Sequence, residues 1–267
     1  MPVCLPFDEV SLDIKDGELP YVSINIPCYE RREFIPLIII NLMGQNYPKE
    51  KLEVCILQDG PQDLFISSHH NDVFREAIYP MTLKYKYEKN IRRTIGEKRN
   101  KLVKMSSHKI IASMDSDDIY LSEYIRHSVN ALKQFNSGAT SSCAMNFIYP
   151  KLDYRMTRIH CALRSQCHEA CAVFTKKFYN STGGFQRISQ GEGISFFGCH
   201  EKKVKNLDIN KLMICVAHDE NTIDKKQFED QTEHAGKMIE DSIHIKILDS
   251  IFGIKNDKDA WVDVKSE

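Results

Sequence analysis

The stretch Lys109-Ile110-Ile111-Ala112-Ser113-Met114-Asp115-Ser116-Asp117-Asp118 decides how the rest of this chain is read. Residues 109–114 are apolar enough for a buried strand, and three carboxylates follow directly at its end. Asp115, Asp117 and Asp118 repel one another unless a cation or a hydrogen-bond donor compensates them. Hard oxygen ligands of this kind suit Mg²⁺ or Mn²⁺, which can bridge a diphosphate. The plainer alternative is a solvated acidic cap on a helix expected from Tyr120. A calcium loop of the EF-hand type is disfavoured: counting from Asp115, the fifth position holds Ile119 and the glycine position holds Tyr120.

Working outward, residues 21–26 alternate as a strand that halts at Pro27, and residues 31–44 follow as a helix with Gly44 as its stop. Residues 52–57 form a second strand closed by Asp59-Gly60-Pro61, residues 72–78 a short helix, residues 83–87 a third strand and residues 95–106 a helix. Strand and helix therefore alternate, which predicts an α/β fold with a mostly parallel central sheet flanked by helices. Such sheets bind ligands at the carboxyl ends of their strands. Pro27-Cys28-Tyr29-Glu30, Asp59-Gly60 and the acidic cluster all sit at such ends, so one shared site is expected.

The second half is less regular. A helix is expected over 120–135, strands over 143–148 and 168–175, and a helical turn over 176–181, while 149–166 resist assignment. Met238, Ile239, Ile243, Ile247 and Ile251 recur at helical spacing in a tail read as helical over 225–252. That stripe should pack on the domain or form a homodimer through the C-terminal helix. The organisation expected is a leader over 1–20, one domain over 21–224 and a C-terminal helical extension over 225–267.

A hydrophobic share of 42% and a charged share of 27% are those of a soluble globular protein. The formal net charge of −1 provides no basic field for nucleic acid. Residues 1–10 have no basic residue and no apolar segment for a signal peptide, and no stretch is long enough for a transmembrane segment, so a cytoplasmic location is expected. Nine cysteines without a CxxC pair fit a reducing compartment. Cys161, Cys167, His168 and Cys171 match no standard zinc spacing and are read as core residues. No glycine-rich phosphate loop occurs, which argues against a nucleotidyl or phosphoryl enzyme and for a nucleotide held through a metal.

Six segments together are similar to family 2 glycosyltransferases of the GT-A fold. Ile26-Pro27-Cys28-Tyr29-Glu30-Arg31 resembles that family's first-strand motif, and Val54-Cys55-Ile56-Leu57-Gln58-Asp59-Gly60 its second. Gly96-Glu97-Lys98-Arg99-Asn100 is similar to its Arg-Asn helix, and Met114-Asp115-Ser116-Asp117-Asp118 to its DXD motif. Gly183-Gly184-Phe185 with Gly191-Glu192 resembles the acceptor-side segment, and Val216-Ala217-His218-Asp219-Glu220-Asn221-Thr222 the late histidine motif. They occur in the family's order over residues 21–224.

The resemblance implies a Rossmann-like GT-A domain that moves a sugar, with inversion, from a nucleoside-diphosphate sugar such as a UDP-sugar to a hydroxyl of a glycan. Pro27, Tyr29, Glu30 and Asp59 would form the base and ribose pocket. Arg99 would approach the nucleotide, with Asp115 and Ser116 beside it. Asp117 and His218 would hold Mn²⁺ or Mg²⁺. The acceptor must lose a proton as it attacks, which calls for a carboxylate base. The family usually shows Glu-Asp with the aspartate as base, whereas this chain has Glu192-Gly193. Either Glu192 takes over, or another carboxylate does, or catalysis is lost; the last would make the chain a catalytically silent nucleotide-sugar or glycan binder.

Overall fold

In the computed structural model, which describes residues 5–230 and 242–254, strand and helix alternate through the first half as the apolar pattern predicts. The order is β1 (Val22–Tyr29), α1 (Ile35–Met43), β2 (Leu52–Gly60), α2 (Ser68–Ala77), β3 (Thr82–Lys89), α3 (Ile95–Met105) and β4 (Ile110–Ser113). The second half adds β5 (Ile119–Tyr120), α4 (Tyr124–Gln134), β6 (Ala139–Ser141), β7 (Ala144–Tyr149), β8 (Arg155–His160) and β9 (Val173–Thr175). It ends with α5 (Lys176–Thr182), α6 (Ile194–Gly198), β10 (Val204–Asn206), β11 (Met213–Val216) and α7 (Ser242–Phe252).

Seven strands form one sheet in the order β10-β6-β9-β4-β1-β2-β3, in which only β9 runs against the others. The central strands are covered on both faces, so even their polar residues are buried, with Ser23 Oγ donating to Glu53 Oε1 at 2.8 Å. On one face Ile24 and Ile56 pack with Ile38 and Leu42 of α1 and with Tyr124 and Val129 of α4. On the other, Cys55 and Leu57 pack with Leu102 of α3, and Ile111 with Val103. A second sheet, β5-β11-β7-β8, closes over the carboxyl end of the first.

Several elements depart from the sequence reading. β1 does not halt at Pro27 but continues to Tyr29. Its ladder with β4 ends at Asn25↔Ser113, so from there only β2 pairs with it. Proline is tolerated where one side of a strand carries no ladder. The helix expected from Tyr120 starts at Tyr124, because Ile119 and Tyr120 pair with β11 instead. Residues 149–166 contain β8, paired with β7 in the second sheet rather than the first. The strand expected over 168–175 is broken by a 3-10 turn at Glu169–Cys171, leaving only β9.

The segment before β1 lies along the domain: Asp8 accepts from the Asn206 amide at 2.8 Å and from Arg164 Nη1 at 2.6 Å. In the tail, α7 turns Leu248 into a cluster with Phe34 and Leu37, and Ile247 and Ile251 of the apolar stripe pack against that cluster. Ile243 is exposed, and Met238 and Ile239 lie outside the described residues. Among the described residues, no helix is long and apolar enough to cross a membrane.

Helix α3 is fixed by a capping box, Thr94 accepting from Glu97 N–H at 3.2 Å and Glu97 accepting from Thr94 N–H at 3.1 Å. Its first turn presses on the segment before α6: Gly96 N–H donates to Ile188 O at 3.0 Å, and a Cβ on Gly96 would lie 1.7 Å from Gln186 O. Gly96→Ala must therefore push that backbone away. The expected cost is about 1–3 kcal/mol, read as a fall in Tm of roughly 2–10 °C. An unchanged melting curve would show that the two segments do not bear on each other.

Candidate functional site

The carboxyl ends of β1, β2 and β4 open into one cavity of about 1000 Å³. Pro27, Tyr29 and Glu30 reach it from β1 and its exit, and Asp115, Ser116, Asp117 and Asp118 reach it from the exit of β4. Arg99 of α3 and Glu192 before α6 complete the expected residues in the wall. Asp59 and His218 stand behind the lining, each bonded to a side chain nearer the cavity.

Lys98 and Arg99 are consecutive on a helix, so their side chains leave it about 100° apart and serve different strand ends. Lys98 Nζ donates to Asp59 Oδ1 at 2.9 Å and to Cys28 O at 3.1 Å. Arg93 N–H donates to Asp59 Oδ2 at 2.6 Å. Burial pulls the Lys98 ammonium below its usual range, and the Asp59 carboxylate opposes that pull. Asp59 thus acts on the cavity through Lys98, which lines it. The Arg92 guanidinium lies 3.2 Å from the centre of the Tyr29 ring, at the same end.

Arg99 serves the β4 end. It is 5% exposed, with Nη2 3.1 Å from Asp115 Oδ1 and Nε 3.1 Å from Glu192 Oε1. Its remaining nitrogen, Nη1, is buried and has no hydrogen-bond partner among the described residues. Burial pushes the Asp115 carboxyl above its usual range, with Arg99 opposing. Asp118 is turned into the protein, its Oδ1 accepting from Val216 N–H at 2.9 Å. Burial, with the charges of Asp117 and Asp115, pushes its carboxyl up to about 8.

Asp117 behaves differently because Arg31 and the His218 ring both bond to it. Its Oδ2 lies 3.1 Å from His218 Nε2 and 3.2 Å from Arg31 Nε. Burial would raise its carboxyl, but the His218 hydrogen bond and the Arg31 charge outweigh that and hold it at about 2. The His218 ring packs against Phe34 and Phe252, with centroids 5.3 and 5.6 Å away. An ionised carboxylate and an imidazole nitrogen meeting at one point fit a divalent cation. Among the described residues no group of three or more such ligands converges. Mg²⁺-type sites use few protein ligands and take the rest from phosphates and water, so a two-residue site is consistent with that chemistry.

Lys98, Arg92, Arg31 and Glu169 face the cavity although the sequence reading gave them no role. Lys98 and Arg31 stand inside the quoted motifs beside the residues that were chosen, and Arg92-Arg93 is a basic pair in a strand-exit loop. Glu169 left no signal, being a lone glutamate in a segment read as strand.

No curated protein matches the chain. Its fold is similar to that of the mannosyltransferase PcManGT from Pyrobaculum calidifontis in complex with GDP-Man and Mn²⁺, with a TM-score of 0.58 and 20% identity over 79% of this chain. It is also similar to S. aureus TarS 1–349 in complex with UDP-GlcNAc, with a TM-score of 0.59 and 12% identity over 75% of this chain. The chain spans 60% of the length of each of these structures. The model of "Glycosyl transferase family 2" matches residues 23–201, more than half of the sequence, and the chain belongs to that family.

Proposed function

We propose that the chain is an inverting, metal-dependent glycosyltransferase that moves a sugar from a nucleoside-diphosphate sugar to an acceptor hydroxyl. The observation that carries this reading is the opening of three parallel strand ends into one cavity, with the Lys98–Asp59 pair at the β1 and β2 end and Asp115 and Asp117, paired with Arg99 and Arg31, at the β4 end. At the β1 and β2 side, Tyr29, Glu30 and the Asp59-bound Lys98 would receive the base and ribose, Pro27 supplying an apolar wall. The GDP-Man and UDP-GlcNAc held by structures of similar fold support a nucleotide-sugar donor, and a UDP-sugar is the donor expected from the resemblance.

At the β4 side, Asp117 and His218 would hold Mn²⁺ or Mg²⁺. Such an ion supplies Lewis-acid stabilisation of the negative charge that develops on the leaving diphosphate. Arg99 is aligned by Asp115 and Glu192, and its unpartnered Nη1 is a ready donor for a phosphate oxygen, with Ser116 beside it. Attack by the acceptor on the anomeric carbon, opposite the departing diphosphate, inverts that centre. The proton lost by the acceptor passes to a carboxylate at the Glu192 wall of the cavity. The acceptor class, a glycan hydroxyl, follows from the resemblance.

A thermal-shift panel tests the donor half of this proposal. A UDP-sugar at one hundred times its Kd should stabilise the protein by about 2.7 kcal/mol when Mn²⁺ is present and by much less when it is absent. Asp117→Ala should remove the Mn²⁺-dependent part. A melting point indifferent to UDP-, GDP- and dTDP-sugars with Mn²⁺ would refute nucleotide-sugar binding. Binding without release of nucleotide from any donor would instead favour the silent binder.

Arg99→Met keeps the volume of the side chain but leaves the Asp115 and Glu192 carboxylates uncompensated. The expected cost is about 3–5 kcal/mol, measured by urea unfolding at neutral pH. A wild-type urea midpoint would show that the two carboxylates do not depend on Arg99.

A further inference from the structure

Gly193 stands where the resembled motif carries its aspartate, and the space of the missing side chain is not empty. A Cβ built on Gly193 would lie 2.3 Å from Glu169 Cγ and 2.5 Å from Glu169 Oε1. The Gly193 N–H donates to that same oxygen at 2.7 Å. A carboxylate from a different segment therefore occupies the place a residue-193 carboxylate would take. We infer that Glu169 is the general base that deprotonates the acceptor hydroxyl, an assignment that rests on the transferase reading above.

The other carboxylates of that wall are engaged. Glu192 is 4% exposed and gives Oε1 to Arg99 Nε, Asp115 is paired with Arg99 Nη2, and Asp118 caps the Val216 amide. Glu169 is partly exposed to the cavity and forms no ion pair among the described residues. The 3-10 turn Glu169–Cys171 that carries it is held by Tyr120 Oη donating to Ala170 O at 2.9 Å, and Cys171 is fully buried. Enclosure and the neighbouring Glu192 charge push the Glu169 carboxyl up to about 7, against the pull of Arg99. A base near the working pH combines an ionised fraction with real proton affinity.

In the step itself, the acceptor oxygen bonds to the anomeric carbon while its proton passes to a Glu169 carboxylate oxygen. The bond between that carbon and the diphosphate oxygen breaks, and its electron pair leaves with the nucleoside diphosphate. Water can stand in as acceptor, so slow donor hydrolysis reads the same proton transfer. The break in the strand at Glu169–Cys171 then has a purpose, since a continuous strand would keep residue 169 in the sheet ladder.

The test is nucleoside-diphosphate release from UDP-GlcNAc, other UDP-sugars and GDP-mannose with Mn²⁺, alongside UDP-dependent thermal shift on the same proteins. Glu169→Gln keeps an oxygen to accept the Gly193 N–H, so fold and UDP binding should be retained. Its release rate should fall roughly 10²- to 10⁴-fold. The double variant Glu169→Ala/Gly193→Asp, which places a carboxylate at residue 193 itself, should recover at least about tenfold over Glu169→Ala, a step within that catalytic range. Wild-type release in Glu169→Gln, or a large loss in Glu192→Gln with none in Glu169→Gln, overturns the assignment while leaving the transferase reading intact. Wild-type protein that releases nucleotide from no donor fails the transferase reading itself, and the assignment with it.

Discussion

The Arg99 guanidinium, 5% exposed, lies 3.1 Å from carboxylate oxygens of both Asp115 and Glu192. Those two residues belong to segments with no covalent reason to meet: the exit of β4 and the loop before α6. Without a cation between them, mutual repulsion and the cost of leaving water would drive them apart. With it, the β4 exit, α3 and the acceptor-side wall are drawn to one point. The capping box at Thr94 and Glu97 sets the direction from which Arg99 arrives.

A second charge system forms the opposite side of the acidic motif. Arg31 and His218 both bond Asp117 and hold its carboxyl at about 2, so it stays ionised through the neutral range. Asp118, one residue on, is pushed up to about 8 because it is enclosed beside two charged neighbours and bonded mainly to backbone. Three aspartates within four residues therefore have three environments. One is bonded to Arg31 and His218, one to Arg99, and one serves as an internal cap.

The first-half fold was legible because its signals are local. Apolar runs of strand length, the Asp59-Gly60 turn, and the helix from Ile95 each need only neighbouring residues to be read. The same is true of the carboxylates at strand ends. Where reading failed, the deciding partner was distant. Pro27 looked like a stop until β4 proved too short to pair beyond Asn25, and Tyr120 looked helical until β11 claimed it. The strand expected over 168–175 broke because Ala170 is pinned to Tyr120, 50 residues away.

For the site, the sequence by itself determined the acidic motif at a strand end, the order of the six motifs, and the absence of an aspartate at 193. Tertiary structure alone decided which charges meet. Asp117 and His218 are 101 residues apart, Arg99 and Glu192 are 93 apart, and Arg31 and Asp117 are 86 apart. It also decided that Glu169, 24 residues before Gly193, fills the space the glycine leaves. The physical reason is range. Periodicity and turn chemistry act over a few residues of chain, whereas ion pairing and steric filling act over a few ångströms of space, and only the packed fold converts one distance into the other.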